Sequence, residues 1–459
     1  MDHSIVRRIR NGFGASLYGQ AIIAAIQLIG VPILLYAWGV HLYGEWLILF
    51  AIPSYLSMAD LGFSQSAAND MTARMARGDK TGTLTIFQSL TALIYFAIAL
   101  GLMVATLLVV FMPLQKWIHF AGISITEVRW VLWLLSVEVL VRLADGVNNA
   151  GFRSHGDYAL YTTVFYSTML LQQVALWISA LSGHSLIAAA ALFTLVRAAA
   201  TPSVAFWLVR RHRGLTFGFT NTDRNQLRSL IKPALANISM PLAMALNIQG
   251  MILIIGAMLG PIAVVTFTAL RTLTRLAVQM VAQAAHAFEP ELAAAWGKQD
   301  HALLVRLYTN TLRIGFWLAL VAAGSLAIFG TWILRIWTHG EVPMNVSLFR
   351  WLLLSALASA LWYDALHLLK ASNTHLRAAL LYVFSAGSVI ALAALLLSHF
   401  HRLSDAGMSL LLMDGVMATY LTRRTAKTLG LSEVYLLASM LDPRPLFRNA
   451  ITVFQIGNK

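Results

Sequence analysis

Long runs of apolar residues recur along almost the whole sequence, and short polar segments separate them. A helix needs about 20 apolar residues to cross the hydrocarbon core of a bilayer. Twelve segments meet this requirement and are predicted to span a membrane: 15–37, 42–61, 84–112, 128–148, 158–180, 185–209, 233–258, 262–287, 312–335, 348–370, 378–398 and 406–422. The pattern therefore predicts an all-α integral membrane protein of about twelve transmembrane helices.

The composition supports this class. Hydrophobic residues make up 59% of the 459 residues and charged residues only 11%, whereas a soluble chain has about 25% charged residues. The chain has no cysteine, which excludes disulfides, cysteine-ligated metals and thiol nucleophiles. Arg7, Arg8 and Arg10 precede the first apolar run as in a signal peptide. That run lacks a small-residue cleavage site, so we expect it to be retained as the first span.

The 33 basic residues outnumber the 19 acidic residues, and their positions predict the topology. With the N-terminus in the cytoplasm, most Lys and Arg fall in the segments 1–14, 62–83, 149–157, 210–232, 288–311, 371–377 and 423–459. External loops then hold only Lys116 and Arg402. This asymmetry predicts that both termini are cytoplasmic. Nucleic-acid binding is the weaker interpretation of the basic clusters.

The two halves of the sequence resemble each other at a nearly constant offset. Asp145 corresponds to Asp364 at an offset of 219 (364 − 145), and His155 corresponds to His375 at 220 (375 − 155). Such a repeat predicts two parallel six-helix bundles, which in transporters face each other across a cavity and rock to give alternating access. We therefore predict bundles at 1–215 and 233–425, a cytoplasmic linker at 216–232 and a cytoplasmic tail at 426–459.

Ionisable residues inside the predicted spans are candidate functional sites, because burying a charge in lipid costs at least about 2.5–3.5 kcal/mol. The candidates chosen on this basis lie on even-numbered spans: Glu45, Asp60, Glu138, Arg142, Asp145, Arg197, Arg271, Arg275, Asp364 and Asp414.

The eighth span contains a regular polar stripe. Arg271, Arg275, Gln279 and Gln283 recur every four residues and share one helical face. Two adjacent guanidinium groups repel each other, and their planar donors suit phosphate, so the stripe predicts a diphosphate site. The alternative is that each arginine pairs with an acid on a neighbouring helix.

The remaining buried charges have several interpretations. Arg142 and Arg197 are further candidates for substrate binding. Glu138 and Arg142 are four residues apart, so we expect them to neutralise each other along the helix. Ion coupling or gating is the candidate role, with structural pairing as the alternative, for Asp60, Asp414, Asp145 and Asp364.

No catalytic pattern accompanies these charges. The sequence contains no phosphate-binding loop, no His-Glu-x-x-His motif and no set of paired metal ligands. Segment 113–127 is the longest predicted external loop, which leaves little room for a catalytic domain. We therefore predict neither enzyme activity nor a cofactor.

Three short motifs resemble those of a known family. Leu42-Tyr43-Gly44-Glu45-Trp46-Leu47 and Met58-Ala59-Asp60-Leu61-Gly62-Phe63 flank the second span, and Gly78-Asp79-Lys80 precedes the third. This pattern resembles Wzx-type polysaccharide-biosynthesis flippases of the multidrug/oligosaccharidyl-lipid/polysaccharide (MOP) exporter superfamily.

The resemblance implies a MATE-like fold and a transport function. Such flippases move undecaprenyl-diphosphate-linked oligosaccharides from the cytoplasmic to the periplasmic leaflet of the bacterial inner membrane, for O-antigen, exopolysaccharide or capsule assembly. By this resemblance Arg271 and Arg275 would meet the diphosphate, and the partners would be membrane lipid and other polysaccharide-assembly proteins. The alternatives are a multidrug or cation antiporter of the same fold and a glycan polymerase or ligase.

Overall fold

The computed structural model describes residues 3–112, 120, 122–372 and 374–445, and every regular element in this part of the chain is helical. The α-helices in chain order are α1 (His3–Ser54), α2 (Phe63–Ala76), α3 (Lys80–Phe111), α4 (Ile125–Ser154), α5 (Tyr158–Leu181), α6 (Leu186–Arg211), α7 (Arg224–Ala245), α8 (Met251–Leu259), α9 (Pro261–Gly297), α10 (His301–Trp337), α11 (Val346–Ala371), α12 (Leu376–Phe400), α13 (Ser404–Thr428) and α14 (Glu433–Leu441). A 3-10 turn (Tyr55–Asp60) follows α1, and a π-helical segment (Leu246–Gly250) joins α7 to α8. The all-α class predicted from the sequence is confirmed.

Helix α1 contains the first predicted span and most of the second, and it is interrupted at Gly39. The backbone there has φ 67° and ψ 172°, which is not helical. Glycine reaches this conformation without the steric strain that a Cβ would cause. The interruption therefore separates the two spans without a polar loop.

Eight helical stretches are long and apolar enough to cross a membrane by length and composition. The continuous stretch Arg10–Ala76 counts as one of them although it includes both parts of α1. Helices α4, α9 and α13, which contain charges inside their predicted spans, are not among the eight. Together these helices are consistent with the predicted set of about twelve.

The chain divides into two compact units, residues 1–262 and residues 263–459. In the first unit, α3 packs on α4, and α6 packs on both α4 and α5. In the second unit, α10 packs on α11, and α13 packs on both α11 and α12. The same order of neighbours in both units supports the internal repeat. The first unit also includes α7 and α8, and the predicted bundle boundaries at 215 and 233 stay a prediction.

Candidate functional site

A buried network of charged and amide side chains joins three helices of the first unit. Arg197 of α6 donates a hydrogen bond to the Asp145 carboxylate of α4 at 2.9 Å and another to the Gln172 side-chain oxygen of α5 at 2.8 Å. The Gln172 amide donates in turn to Glu138 of α4 at 2.8 Å, and the Arg197 Nε lies 3.7 Å from that same carboxylate. Only 2% of Arg197 is exposed. Buried charges persist when they are paired and hydrogen-bonded, and this network meets both conditions.

Arg142 connects the network to a cavity. Its Nη2 donates to Glu138 at 3.3 Å, as the spacing of four residues predicts. In contrast to Arg197, 34% of the Arg142 side chain is exposed. The predicted pairing along the helix is therefore confirmed, and part of the guanidinium group stays accessible.

The cavity in the first unit has a volume of about 600 Å³, which is within the range of small-molecule sites. Its walls combine aromatic rings, hydroxyl groups, amides and both signs of charge. The lining residues include Ser54, Ser57, Asp60, Ser64, Arg142, Asp145, Gly146, Asn149, Tyr158, Tyr161, Thr162, Phe165, Tyr166 and Gln249. Three predicted site residues, Asp60, Arg142 and Asp145, thus lie around one cavity.

Asp60 is held at the cavity by the start of α2. One carboxylate oxygen of Asp60 accepts hydrogen bonds from the Ser64 backbone N–H at 3.0 Å and from the Ser64 hydroxyl at 2.7 Å. Ser64 itself faces α4 at Gly146. The orientation of Asp60 therefore depends on close packing between α2 and α4.

A second polar cluster lies in the second unit, around Asp414 of α13. Asp414 is 4% exposed and accepts hydrogen bonds from the Ser355 hydroxyl and, at 3.0 Å, from the Trp362 indole N–H, both on α11. The Trp362 ring stacks on Tyr363 with centroids 4.3 Å apart and contacts Tyr382 of α12 at 5.1 Å. An acid, hydrogen-bond donors and aromatic rings thus come from three helices.

The two arginines of the predicted stripe belong to this cluster. Arg271 interacts electrostatically with both Arg275 and Asp414, and its guanidinium carbon lies 5.3 Å from the Phe267 ring centroid. Arg275 interacts electrostatically with Tyr363 and Tyr382. Gln279 is partly buried on the same helix, whereas the side chain of Gln283 lies outside the described residues. Arg271 thus lies near both a second cation and the Asp414 carboxylate.

Asp364 of α11 is separate from the cluster. It is 1% exposed, and neither carboxylate oxygen has a hydrogen-bond partner among the residues that the structure describes. In the same part of the chain, no group of three or more His, Asp or Glu side chains is placed to hold a metal ion.

Sequence reasoning missed some contributors to both sites. Ser355 was not a candidate, although Ser355, Ser359 and Trp362 follow a spacing of four and three residues that places them on one helical face. Tyr161 was missed as well, and it donates to the Asp145 backbone oxygen at 2.7 Å. The helical spacing could have identified the first group, but no sequence signal points to the second.

Solved transporter structures are similar to this chain over most of its length. An inward-facing multidrug resistance MATE family transporter of the MOP superfamily matches with a TM-score of 0.71 and 16% identity, over 88% of this chain and 98% of the other. The chain has the MATE fold. A MATE structure in the bent conformation matches this fold with a TM-score of 0.60 and 17% identity, over 95% and 96% of the two chains.

A third match is a MOP superfamily transporter from Pyrococcus furiosus, described by the reverse polarity of its binding pocket, which suggests a different function. It has a TM-score of 0.53 and 17% identity over 92% of this chain and 94% of the other. No protein-family model and no curated protein sequence matches the chain. The MATE fold and the eight apolar helices make this a multi-pass membrane protein.

Proposed function

We propose that the protein is a transporter that moves an oligosaccharide linked to undecaprenyl diphosphate from the cytoplasmic to the periplasmic leaflet of a bacterial inner membrane. Both termini lie in the cytoplasm in this proposal, and no covalent bond of the cargo changes. Structures with the MATE fold include inward-facing and outward-facing conformations, which is consistent with alternating access as the transport mechanism.

The observation that carries the proposal is the Arg271–Arg275 pair. The two cations lie on one face of α9, and Arg271 interacts electrostatically with both Arg275 and Asp414. Since Ser355 and Trp362 already donate to Asp414, this acid does not depend on the arginines for its hydrogen bonds. The cluster can therefore accept an anion, and guanidinium groups bind phosphate oxygens with paired donors.

The cavity of the first unit supports a glycan cargo. Arg142 offers donors, Asp60 offers acceptors, and Tyr158, Tyr161 and Phe165 offer aromatic faces. A sugar ring presents hydroxyl groups that both donate and accept, together with an apolar face that packs on aromatic rings. In this proposal Arg197 and Asp145 hold the wall of the cavity, and Arg142 and Asp60 face the cargo.

Transport of a cationic compound is the second candidate, and one observation favours it. Asp60 and several tyrosines line the same cavity, and an acid among aromatic rings suits an organic cation. The accessible guanidinium group of Arg142 on that wall argues against this candidate, because it repels a cation. The pocket polarity of the Pyrococcus furiosus transporter shows that this property differs between proteins of this fold.

The deciding experiment follows the glycan and its lipid-linked precursor in cells that lack the protein. We expect the surface glycan to disappear and the precursor to accumulate on the inner leaflet. Complementation with the Arg271→Ala/Arg275→Ala double variant should fail although the protein is inserted. Arg335→Ala, which removes an exposed arginine at the end of α10, is the matched control and should restore export.

Two outcomes would contradict the proposal. Full complementation by the double variant would refute the diphosphate role of Arg271 and Arg275. A normal surface glycan combined with increased sensitivity to cationic drugs would refute the flippase function and would support a cation antiporter.

A further inference from the structure

The short helix α14 is apolar on both of its faces. Leu436 and Met440 are buried against α10 and α13, in a core that includes Tyr308 and Leu429. Four further apolar side chains of the nine-residue helix are exposed: Val434 (75%), Tyr435 (52%), Leu437 (42%) and Leu441 (55%). A helix that is apolar all round is stable where its outer face also avoids water.

The level of α14 along the membrane normal follows from its contact with α10. Helix α10 has 37 residues, which corresponds to a length of about 55 Å, whereas the hydrocarbon core is about 30 Å thick. Residues 314–334 contain no charged side chain, and Arg313 and Arg335 bound them. This stretch is about 31 Å long, so Arg313 marks one edge of the core.

Arg313 also holds the C-terminal end of α14. It is 7% exposed, and its Nε donates to the Ser439 backbone oxygen at 2.9 Å. At the other end of α14, Glu433 pairs with Arg423 of α13 at 3.5 Å. Arg423 ends the apolar part of α13. Both ends of α14 are therefore tied to residues that mark the same edge of the membrane, so the helix lies along this edge.

The charges beside α14 complement an anionic membrane surface. Arg423, Lys427 and Arg444 are exposed, and Arg424 is partly buried, whereas the acids next to them are Glu433 and Asp442. Basic side chains next to an interfacial apolar face attract anionic headgroups. The sequence predicts that this side is cytoplasmic, where the positive-inside rule places such residues.

We propose that α14 is an interfacial helix whose exposed face, Val434, Tyr435, Leu437 and Leu441, is inserted among lipids, and that the cations beside it bind anionic headgroups. The occupant of this face is the bilayer itself. The proposal does not depend on the identity of the transported cargo.

Site-directed spin labelling tests the depth of α14, and the absence of cysteine from the chain makes each introduced cysteine unique. Val434→Cys and Leu437→Cys place the label on the exposed face, Asn225→Cys is the aqueous reference, and Phe329→Cys is the reference in the core. In nanodiscs that contain phosphatidylglycerol, we expect labels at 434 and 437 to be accessible to oxygen and protected from a water-soluble nickel complex. Accessibility to nickel equal to that of the label at 225 would overturn the proposal and would identify a surface for a soluble partner.

Lipid binding tests the second half of the proposal. The Arg423→Gln/Arg424→Gln/Lys427→Gln/Arg444→Gln variant should retain at least about tenfold less phosphatidylglycerol in native mass spectrometry, since each cation contributes about fivefold to headgroup attraction. The matched control removes four basic residues near the end of α6 and the start of α7, by Arg210→Gln/Arg211→Gln/Arg213→Gln/Arg224→Gln. An equal loss in both variants, or no loss in either, would refute a specific role for the cations beside α14.

Discussion

Gly146 of α4 lies so close to Ser64 of α2 that a Cβ at position 146 would stand 2.2 Å from the Ser64 hydroxyl oxygen. No pair of real atoms of this kind approaches so closely, so a larger residue forces α2 and α4 apart. Because Ser64 donates to Asp60 at 2.7 Å, this contact also fixes an acid at the cavity of the first unit.

Gly146→Ala should therefore impair transport and cost about 1–3 kcal/mol of stability through overpacking. The measurements are thermal unfolding of the purified protein and export in complemented cells. Gly387→Ala is the control, since a Cβ at Gly387 meets nothing within 4 Å. Equal behaviour of the two variants would show that the α2–α4 contact is not required.

Arg197→Met should be among the most destabilising single substitutions. It leaves Asp145 without its guanidinium partner, and it leaves Glu138 with Arg142 as its remaining arginine partner. Breaking a buried ion pair in this way costs about 3–5 kcal/mol of stability. The double variant Arg197→Met/Asp145→Asn should recover part of the loss, because it removes one of the unpaired charges. Thermal unfolding of the four proteins of this cycle measures the coupling, and purely additive losses would contradict the proposed network.

Gly39→Ala should destabilise α1 by about 1–3 kcal/mol through backbone strain. The cause is the φ of 67° alone, since a Cβ at this position meets nothing within 4 Å. Gly14→Ala is the matched control on the same helix, where a Cβ also has open space and the backbone is helical. Thermal unfolding should therefore separate the two variants, and a neutral Gly39→Ala would mean that α1 can straighten without loss.

Arg271→Lys tests whether the geometry of the cation matters as well as its charge. Lysine keeps the charge but loses the planar paired donors, so affinity for inorganic pyrophosphate should fall by about tenfold. Isothermal titration in detergent measures this, with Arg335→Lys as the control. Unchanged pyrophosphate affinity in Arg271→Lys would show that the site recognises the positive charge of residue 271 and not the paired donors of a guanidinium group.

His155 at the end of α4 and His212 at the end of α6 should make the stability of the fold depend on pH. Burial, together with the charge of His155, lowers the pKa of His212 below its ordinary value of 6.5, although Asp157 opposes this shift. The two imidazole rings lie 4.4 Å apart. Between pH 6.5 and the lower folded-state pKa, the unfolded chain binds more protons, so stability should fall as the pH decreases through this interval.

Asp157 does not contribute to the change in that interval. Burial raises the pKa of Asp157, but the hydrogen bond and charge of Arg211 outweigh burial and leave the pKa below its ordinary value of 3.8. Its stabilising effect is therefore lost only at more acidic pH. Unfolding temperatures at about pH 7.5 and about pH 5.5 should differ less in His155→Gln than in the unmodified protein, and an equal difference in both would contradict this assignment.

The sequence predicted the helical class and contacts between residues close along one helix. The Glu138–Arg142 pair followed from a spacing of four residues, and the structure contains it at 3.3 Å. The partner of Arg197 could not be predicted, because Asp145 lies 52 residues away on another helix. Helix packing decides such contacts, and periodicity contains no information about which helices become neighbours.

The motif glycines illustrate the same limit. Gly44 and Gly62 were part of the family resemblance, yet the sequence gives no reason for them. In the structure, a Cβ at Gly44 would stand 2.3 Å from the Pro261 carbonyl oxygen, and a Cβ at Gly62 would stand 2.5 Å from the Ala234 carbonyl oxygen. Both glycines thus permit close backbone contacts with residues about 170 to 220 positions further along the chain.

The Asp145–Arg197 ion pair can be compared with the corresponding positions of the second unit. Asp364 occupies the position of Asp145 in the second unit, at an offset of 219 (364 − 145). Helix α13 begins 218 residues after α6 (404 − 186), so Gly415 corresponds to Arg197. At these equivalent positions the second unit therefore has the acid but not the base. The two units therefore differ at equivalent positions: an ion pair ties α4 to α6 in the first unit, whereas in the second unit α11 and α13 are joined by the hydrogen bonds of Ser355 and Trp362 to Asp414.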